Sequence, residues 1–374
     1  GSSNKVKSIS VFSISGSSYF GDKLEGHSGG SERQMKYIVD VLAREKVQVT
    51  VLTANNSRGS ANLLENVSYV NMWQRDSRIL SKVLSLTFNL FRVKASIYLR
   101  GISAVHLLVI IISRIAMKQV ILGMTSDVQC VRGKVLKTNL VRKFSLLFST
   151  RVVAQTNFQA SLLKHHFKRE SLVLNNVLDI QEISRDEDVK YCDKSYDVIW
   201  IGYMEPRKGL DYIVELADRL PDKKFLVVGD GRRDHLEYAD RIIELLEKRN
   251  NVDIVGRVDP WSVGRFIGRS KVLINTSLTD ESGVTKEGFP NAFLESWCLG
   301  VPVIALNIDP ELLLSCGRLG RYCQRIDDAV LAIKQYTENY AIWQEASLNS
   351  RKFVIGRDVA SKTVRSEVAK ALGL

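Results

Sequence analysis

Metal-ligating and disulfide chemistry have little to work with in this chain. Its five cysteines, Cys130, Cys192, Cys298, Cys316 and Cys323, form no CxxC pair. Their odd number and wide spacing point to a reduced cytosolic thiol set rather than a disulfide framework. Five scattered histidines offer no cluster for a metal site, so none is expected. Six prolines and 24 glycines in 374 residues exclude a collagen-like or low-complexity chain. The longest uncharged apolar run, Ile102 to Ser113, is too short to cross a bilayer and is closed by Arg114 and Lys118. Gly1-Ser2-Ser3 reads as a cleavage scar, followed by a strand rather than a signal peptide. What is there is ordinary globular usage, 45% apolar and 25% charged, at a length suited to two or three domains.

Negative charge is scarce in one half only. Residues 1–185 hold 26 basic and 11 acidic side chains, a net of +15, whereas residues 186–374 hold 27 and 30, a net of −3. The positive field therefore belongs to one domain and one partner. Nucleic acid, an anionic membrane face and a phosphate-bearing acceptor all fit that number. Nucleic acid is disfavoured because the basic residues carry no groove-reading or base-stacking motif.

Short apolar runs alternate with helical periods along the chain. Ile9–Ser13, Val47–Leu52, Ala95–Leu99, Val120–Gly123, Arg151–Ala154 and Ser171–Leu174 read as strands, and Met35, Ile38, Val39 and Leu42 mark a helix over Glu32–Arg44. After a polar stretch at Gln181–Ser195 the alternation restarts with strands at Tyr196–Gly202, Lys224–Gly229, Val252–Val255, Lys271–Asn275 and Val301–Ala305. Helices between them fall at Gly209–Leu220, Arg241–Lys248, Pro260–Ile267 and Asn291–Leu299. The pattern predicts an α/β chain of two doubly wound parallel-sheet domains facing a cleft, with ligands beyond the strand exits. The expected division is 1–190 and 191–357, with a terminal helix in 358–374, apolar at Val364, Val368 and Leu372, packing back on the first domain. Ile79–Leu99 mixes apolar residues with Lys82, Arg92 and Lys94 and has no acid. It reads either as a packed helix or as a basic amphipathic helix on a bilayer.

The most informative block is Lys286-Glu287-Gly288-Phe289-Pro290-Asn291-Ala292-Phe293-Leu294-Glu295, followed by Gly300-Val301-Pro302-Val303-Ile304. It reads as loop, helix, tight turn and strand, with Pro290 at the first helical position. The backbone N–H groups of Gly288, Phe289, Asn291 and Ala292 at that helix start make an anion site by geometry and dipole. Glu287 would meet sugar hydroxyls and Glu295 ribose hydroxyls. Spacing alone favours two solvated acids on an amphipathic helix.

Two glutamates separated by seven residues, in Glu-Gly-Phe-Pro-Asn with Gly-Val-Pro-Val-Ile after them, resemble the donor signature of glycosyltransferase family 4. Gly29-Gly30-Ser31-Glu32, Gln155-Thr156-Asn157, Leu174-Asn175-Asn176, Ile201-Gly202 with Arg207-Lys208-Gly209, and Asp309-Pro310-Glu311 are similar to that family's other segments, in the same order. The resemblance implies a GT-B fold of two Rossmann-like domains. It implies a retaining, metal-independent glycosyltransferase with no cofactor, moving a sugar from a nucleotide-diphosphate donor, UDP-linked, to a glycan or lipid-linked acceptor in cell-envelope synthesis. A cytoplasmic enzyme peripheral on the inner plasma membrane follows from that acceptor and from the basic half. Glu287 and Lys208 carry catalysis, Lys208 neutralising the leaving diphosphate, with Asp127 on the acceptor side. Donor contacts fall to Gly29, Gly30, Arg207, Lys208, Gly229, Asp230, Gly256, Val258, Gly288, Phe289, Pro290, Asn291 and Glu295. The chain departs from the family in three places. Tyr203 stands where relatives carry an arginine, and Met124-Thr125-Ser126-Asp127 lacks their histidine. Leu278–Lys286 looks like an insertion. A non-catalytic nucleotide-sugar-binding scaffold and a GT-B isomerase are the rival readings.

Overall fold

The computed structural model describes residues 7–14, 30–54, 64–74, 76–184 and 188–374. It divides into two units, Gly1–Val177 with Val359–Leu374, and Leu178–Asp358.

The first unit is built on β1 (Ser8–Phe12), β2 (Gln48–Thr53), β3 (Val67–Asn71), β4 (Ser96–Arg100), β5 (Val120–Gly123), β6 (Arg151–Ala154) and β7 (Leu172–Val173). All are parallel, in the order β3-β2-β1-β4-β5-β6-β7. Helices cover the central strands, so Ile9, Val11, Ile97, Leu99, Val120 and Leu122 are buried and read as continuous apolar runs. The edge strand β3 is only half buried, which is why no apolar run announces it. The helix Gly30–Arg44 buries Met35, Ile38, Val39 and Leu42. Against it lies the terminal helix Lys362–Leu372, with Val364, Val368 and Leu372 buried and an Arg365–Glu45 ion pair at 2.9 Å.

The second unit repeats the plan with β8 (Tyr196–Ile201), β9 (Phe225–Val228), β10 (Val252–Val255), β11 (Ser270–Asn275), β12 (Val303–Leu306) and β13 (Gly320–Cys323). Its parallel order is β10-β9-β8-β11-β12-β13, so the connections reverse direction between β8 and β11, where doubly wound sheets take ligands. β13 escaped the sequence reading because its first residue is a glycine. Gly320 has φ +144°, and a Cβ there would lie 1.7 Å from the Val303 carbonyl.

Several boundaries differ from the sequence reading. The chain passes into the second unit at Leu178, ahead of the polar stretch. Leu178 already bridges Asp358 and donates its N–H to the Arg357 carbonyl at 3.1 Å. The polar stretch opens with a short helix, Ile180–Ile183, whose Asp179 carboxylate accepts from the Glu182 N–H. The helix expected from Arg241 starts at Leu236, because Ala239 continues the buried stripe of Ile242 and Leu246. Within Ile79–Leu99, a helix at Ile79–Arg92 precedes β4, and it buries only Leu86 and Leu90. Among the described residues no helix is long and apolar enough to cross a membrane.

Candidate active site

The loop leaving β8 is fastened to the exit of β11. Thr276 accepts from the Trp200 indole N–H at 3.0 Å and donates its hydroxyl to the Lys208 carbonyl at 2.7 Å, while the Leu278 N–H reaches the Arg207 carbonyl at 2.8 Å. Gly209 has φ +66°, and a Cβ there would sit 2.1 Å from the Thr276 carbonyl oxygen, so only glycine permits this approach. Lys208 thereby ends a tight Pro206–Lys208 turn with its side chain fixed in direction.

That side chain meets Glu287. Lys208 Nζ forms an ion pair with Glu287 Oε1, and the Ser277 hydroxyl donates to the same oxygen at 3.0 Å. Burial acts to raise the Glu287 carboxyl. The Lys208 charge and hydrogen bond, the Ser277 hydroxyl and the Arg207 charge outweigh it and hold the group below its ordinary range. Glu287 is thus an ionised carboxylate with one oxygen committed to a lysine and a serine.

A second carboxylate lies close by. Glu205 is buried; its Oε1 lies 2.5 Å from Arg207 Nη2 and its Oε2 lies 3.8 Å from His235 Nε2. Lys286 has its ammonium pulled below the usual lysine value by burial and by Arg207, with Arg232 and Lys208 adding to the effect and Glu205 opposing it. Arg207, Lys208, Arg232, Lys286, Glu205 and Glu287 therefore share one electrostatic neighbourhood. The 278–286 stretch is a closed hairpin, with a Thr279–Thr285 bridge and the Asp280 N–H on the Val284 carbonyl at 2.8 Å.

The helix behind Glu287 runs Asn291–Cys298. Pro290 is not its first residue: with ψ 126° it stands outside as the N-cap, and its carbonyl accepts from the Phe293 N–H at 3.1 Å. Gly288 and Phe289 are buried ahead of it, and Glu295 is buried on its second turn. Gly229 leaves β9 with φ +146°, where a Cβ would be 1.8 Å from the Gly202 carbonyl oxygen; Met204 donates to the Asp230 carbonyl at 2.8 Å. Gly256 and Val258 follow β10, further along the same sheet end.

In the first unit Gly30 opens its helix, and Gly29 lies outside the described residues. Asp127 begins a tight turn, Asp127–Cys130, after β5. It is buried and accepts from Gln159 Nε2 at 3.0 Å, in a network that continues to Gln155 and Asn176.

The sequence reading missed Ser277, Glu205, Arg232 and Lys286. Ser277 ends Asn275-Thr276-Ser277 at a strand exit, which was the available signal. Glu205 and Lys286 lie beside Arg207 and Glu287 in the chain, whereas Arg232 becomes a neighbour only through loop packing. Among the described residues no group of three His, Cys, Asp or Glu side chains is placed to hold a metal ion.

Residues 195–339, a stretch inside the second unit, match the family model described as glycosyl transferases group 1. The chain is 20% identical over 342 residues to an uncharacterized glycosyltransferase of Haemophilus influenzae, covering 87% of this chain and 92% of that protein. Among solved structures it is similar to Anabaena HepE in complex with UDP-glucose, with TM-score 0.74 and 17% identity over 98% of this chain and 99% of that one. The lipopolysaccharide outer core galactosyltransferase WaaB in its apo form gives TM-score 0.66 and 14% identity over 98% and 99%. The fold is GT-B, and the comparisons agree with the resemblance drawn from the double-glutamate block.

Proposed function

We propose, from the match of residues 195–339 to the group 1 glycosyl transferase model, that this chain transfers a sugar, with retention and without a metal, from a UDP-sugar to a lipid-linked or polysaccharide acceptor. The Lys208–Glu287–Ser277 constellation at the sheet's switch point carries this reading. Transfer breaks the bond from the sugar's anomeric carbon to the phosphate oxygen and forms one to the acceptor oxygen on the same face. The acceptor's hydroxyl proton passes to the departing phosphate oxygen. Charge grows on that oxygen, and Lys208 supplies a preorganised positive group against it. Glu287 is ionised and tethered, so it orients the sugar through its hydroxyls rather than forming a covalent adduct. The helix start at Asn291 faces its dipole toward phosphate charge. Asp127, buried and held by Gln159, is a positioning residue of the acceptor-side unit. The UDP-glucose complex of HepE supports the choice of nucleotide.

The acceptor is placed at an anionic membrane surface, the inner face of the plasma membrane. Residues 77–169 contain 16 lysines and arginines and one acid, the buried Asp127. Two helices there turn large apolar side chains outward at the same spacing: Leu80, Leu84, Phe88 and Phe91 on Ile79–Arg92, and Leu136, Leu140, Phe144 and Leu147 on Leu136–Phe148. Both pack against the helix Ala104–Ile115 between them. Apolar side chains set in a basic field suit an anionic lipid interface.

A thermal-shift panel of nucleotide-sugars tests the donor, since a ligand of the native state raises Tm. The expected result is stabilisation by a UDP-sugar, and transfer to a glycan acceptor that Lys208→Ala and Glu287→Ala abolish. Wild-type transfer rates in either variant would remove the assignment.

A further inference from the structure

The cations nominated by the sequence are already engaged. Arg207 lies 2.5 Å from Glu205 and Lys208 is paired with Glu287, so each has its own carboxylate. Arg232 and Lys286 form no ion pair among the described residues, where the nearby pairs are those of Glu205 and Glu287. Two positive charges in the neighbourhood of Glu287 therefore have no carboxylate in ion-pair contact. The bridging phosphates of a nucleotide-diphosphate sugar carry two negative charges.

Arg232 is also held in place. Its guanidinium lies 4.3 Å over the centre of the Tyr203 ring, a cation–π contact that leaves the planar fork of N–H donors free to grip phosphate. Ring and guanidinium come from adjoining strand exits that are locked together. Gly229 presses on the Gly202 carbonyl with no room for a Cβ, and the Asp230 carbonyl takes the Met204 N–H. Gly231 likewise stands where a Cβ would be 2.6 Å from that of Ala239. The loop from Gly229 to Arg232 thus has little freedom at its root while its tip reaches over Tyr203.

We propose that Arg232, seated on Tyr203, is a donor-binding residue that grips the diphosphate of the nucleotide-sugar, with Lys286 as its companion charge. The inference rests on the donor class proposed above. It also gives Tyr203 a role: the ring is the platform for a guanidinium that arrives from the next loop instead of from position 203 itself.

The test uses the full chain and three probes, inorganic pyrophosphate, UDP and uridine, with affinities measured by calorimetry or ligand-detected NMR. Arg232→Ala should weaken pyrophosphate and UDP by about tenfold or more, the loss of a charge-assisted hydrogen bond. Uridine binding and Tm should stay unchanged, which a merely structural role for Arg232 would not allow. Tyr203→Ala should give a smaller loss, and Tyr203→Arg combined with Arg232→Ala should recover most of it. The inference is overturned if Arg232→Ala binds pyrophosphate and UDP within twofold of wild type. Arg232-dependent binding of pyrophosphate, with no binding of UDP or any nucleotide-sugar, would sink the donor reading while supporting the anion grip. A wild-type protein that binds none of the probes overturns both.

Discussion

Ser277 and Lys208 converge on a single oxygen of Glu287, the hydroxyl at 3.0 Å and the ammonium in an ion pair. The lysine arrives from the β8 exit and the serine from the β11 exit, so the carboxylate is clamped across the point where the sheet's connections reverse. Three groups of three different chemistries depend on one another there.

Removing one partner should cost more than removing two. Lys208→Met leaves a mostly buried carboxylate without its countercharge, an event that costs about 3 kcal/mol. Lys208→Met with Glu287→Gln removes both charges and should recover much of that stability while transfer stays absent. Chemical denaturation of the single and double variants reads this directly, and a double variant less stable than the single one contradicts it.

Acid should expose the same group. The folded Glu287 carboxyl lies below its ordinary 4.5, so the folded state takes up this proton less readily than the unfolded chain. Its stabilising contribution is complete above about pH 4.5 and is lost as pH falls through the lower folded value. The stability gap between wild type and Glu287→Gln should therefore narrow from pH 6 to pH 3.5 in urea titrations. A constant gap would mean the carboxylate gains nothing from its partners.

Two glycines of the proposed donor site should respond oppositely. Gly229→Ala puts a Cβ against the Gly202 carbonyl at positive φ, a strain of about 1–3 kcal/mol before any clash is counted. Gly256→Ala meets nothing within 4 Å and has an ordinary φ. The first should lower Tm and abolish donor binding; the second should leave Tm within about one degree, since it brings neither clash nor backbone strain.

Vesicle binding should depend on the outward rows of the two basic helices. Phe88→Asp and Phe144→Asp are each expected to reduce flotation with anionic liposomes about tenfold, the worth of one large apolar side chain withdrawn from lipid. Raising salt should weaken binding further. Equal flotation of the wild type and the double variant would exclude this face.

How much of this was legible in advance follows from where each signal lives. The buried central strands announce themselves, because a parallel sheet covered on both sides needs unbroken apolar runs such as Val120–Gly123 and Phe225–Val228. β3 did not, being an edge strand whose exposed side carries ordinary polar residues. The Glu287 and Lys208 positions could be named because a short contiguous block and a strand-exit turn hold them. Their mutual contact, across 79 positions of chain, could not be read from either block alone. Arg232 shows the limit most clearly. In sequence it is one of two adjacent arginines, and only the packing of the β8 and β9 loops brings it over Tyr203. Pro290 shows the same for local rules: proline suits both the first helical residue and the residue before it, and ψ decides.

The pairing of Leu178 with Asp358 closes the second unit where it begins. A module whose entry and exit share one doorway can be lifted out and replaced without stretching either join. Exchange of the 178–358 cassette between related chains is then a route to transplanting one proposed donor site for another while the first unit is kept.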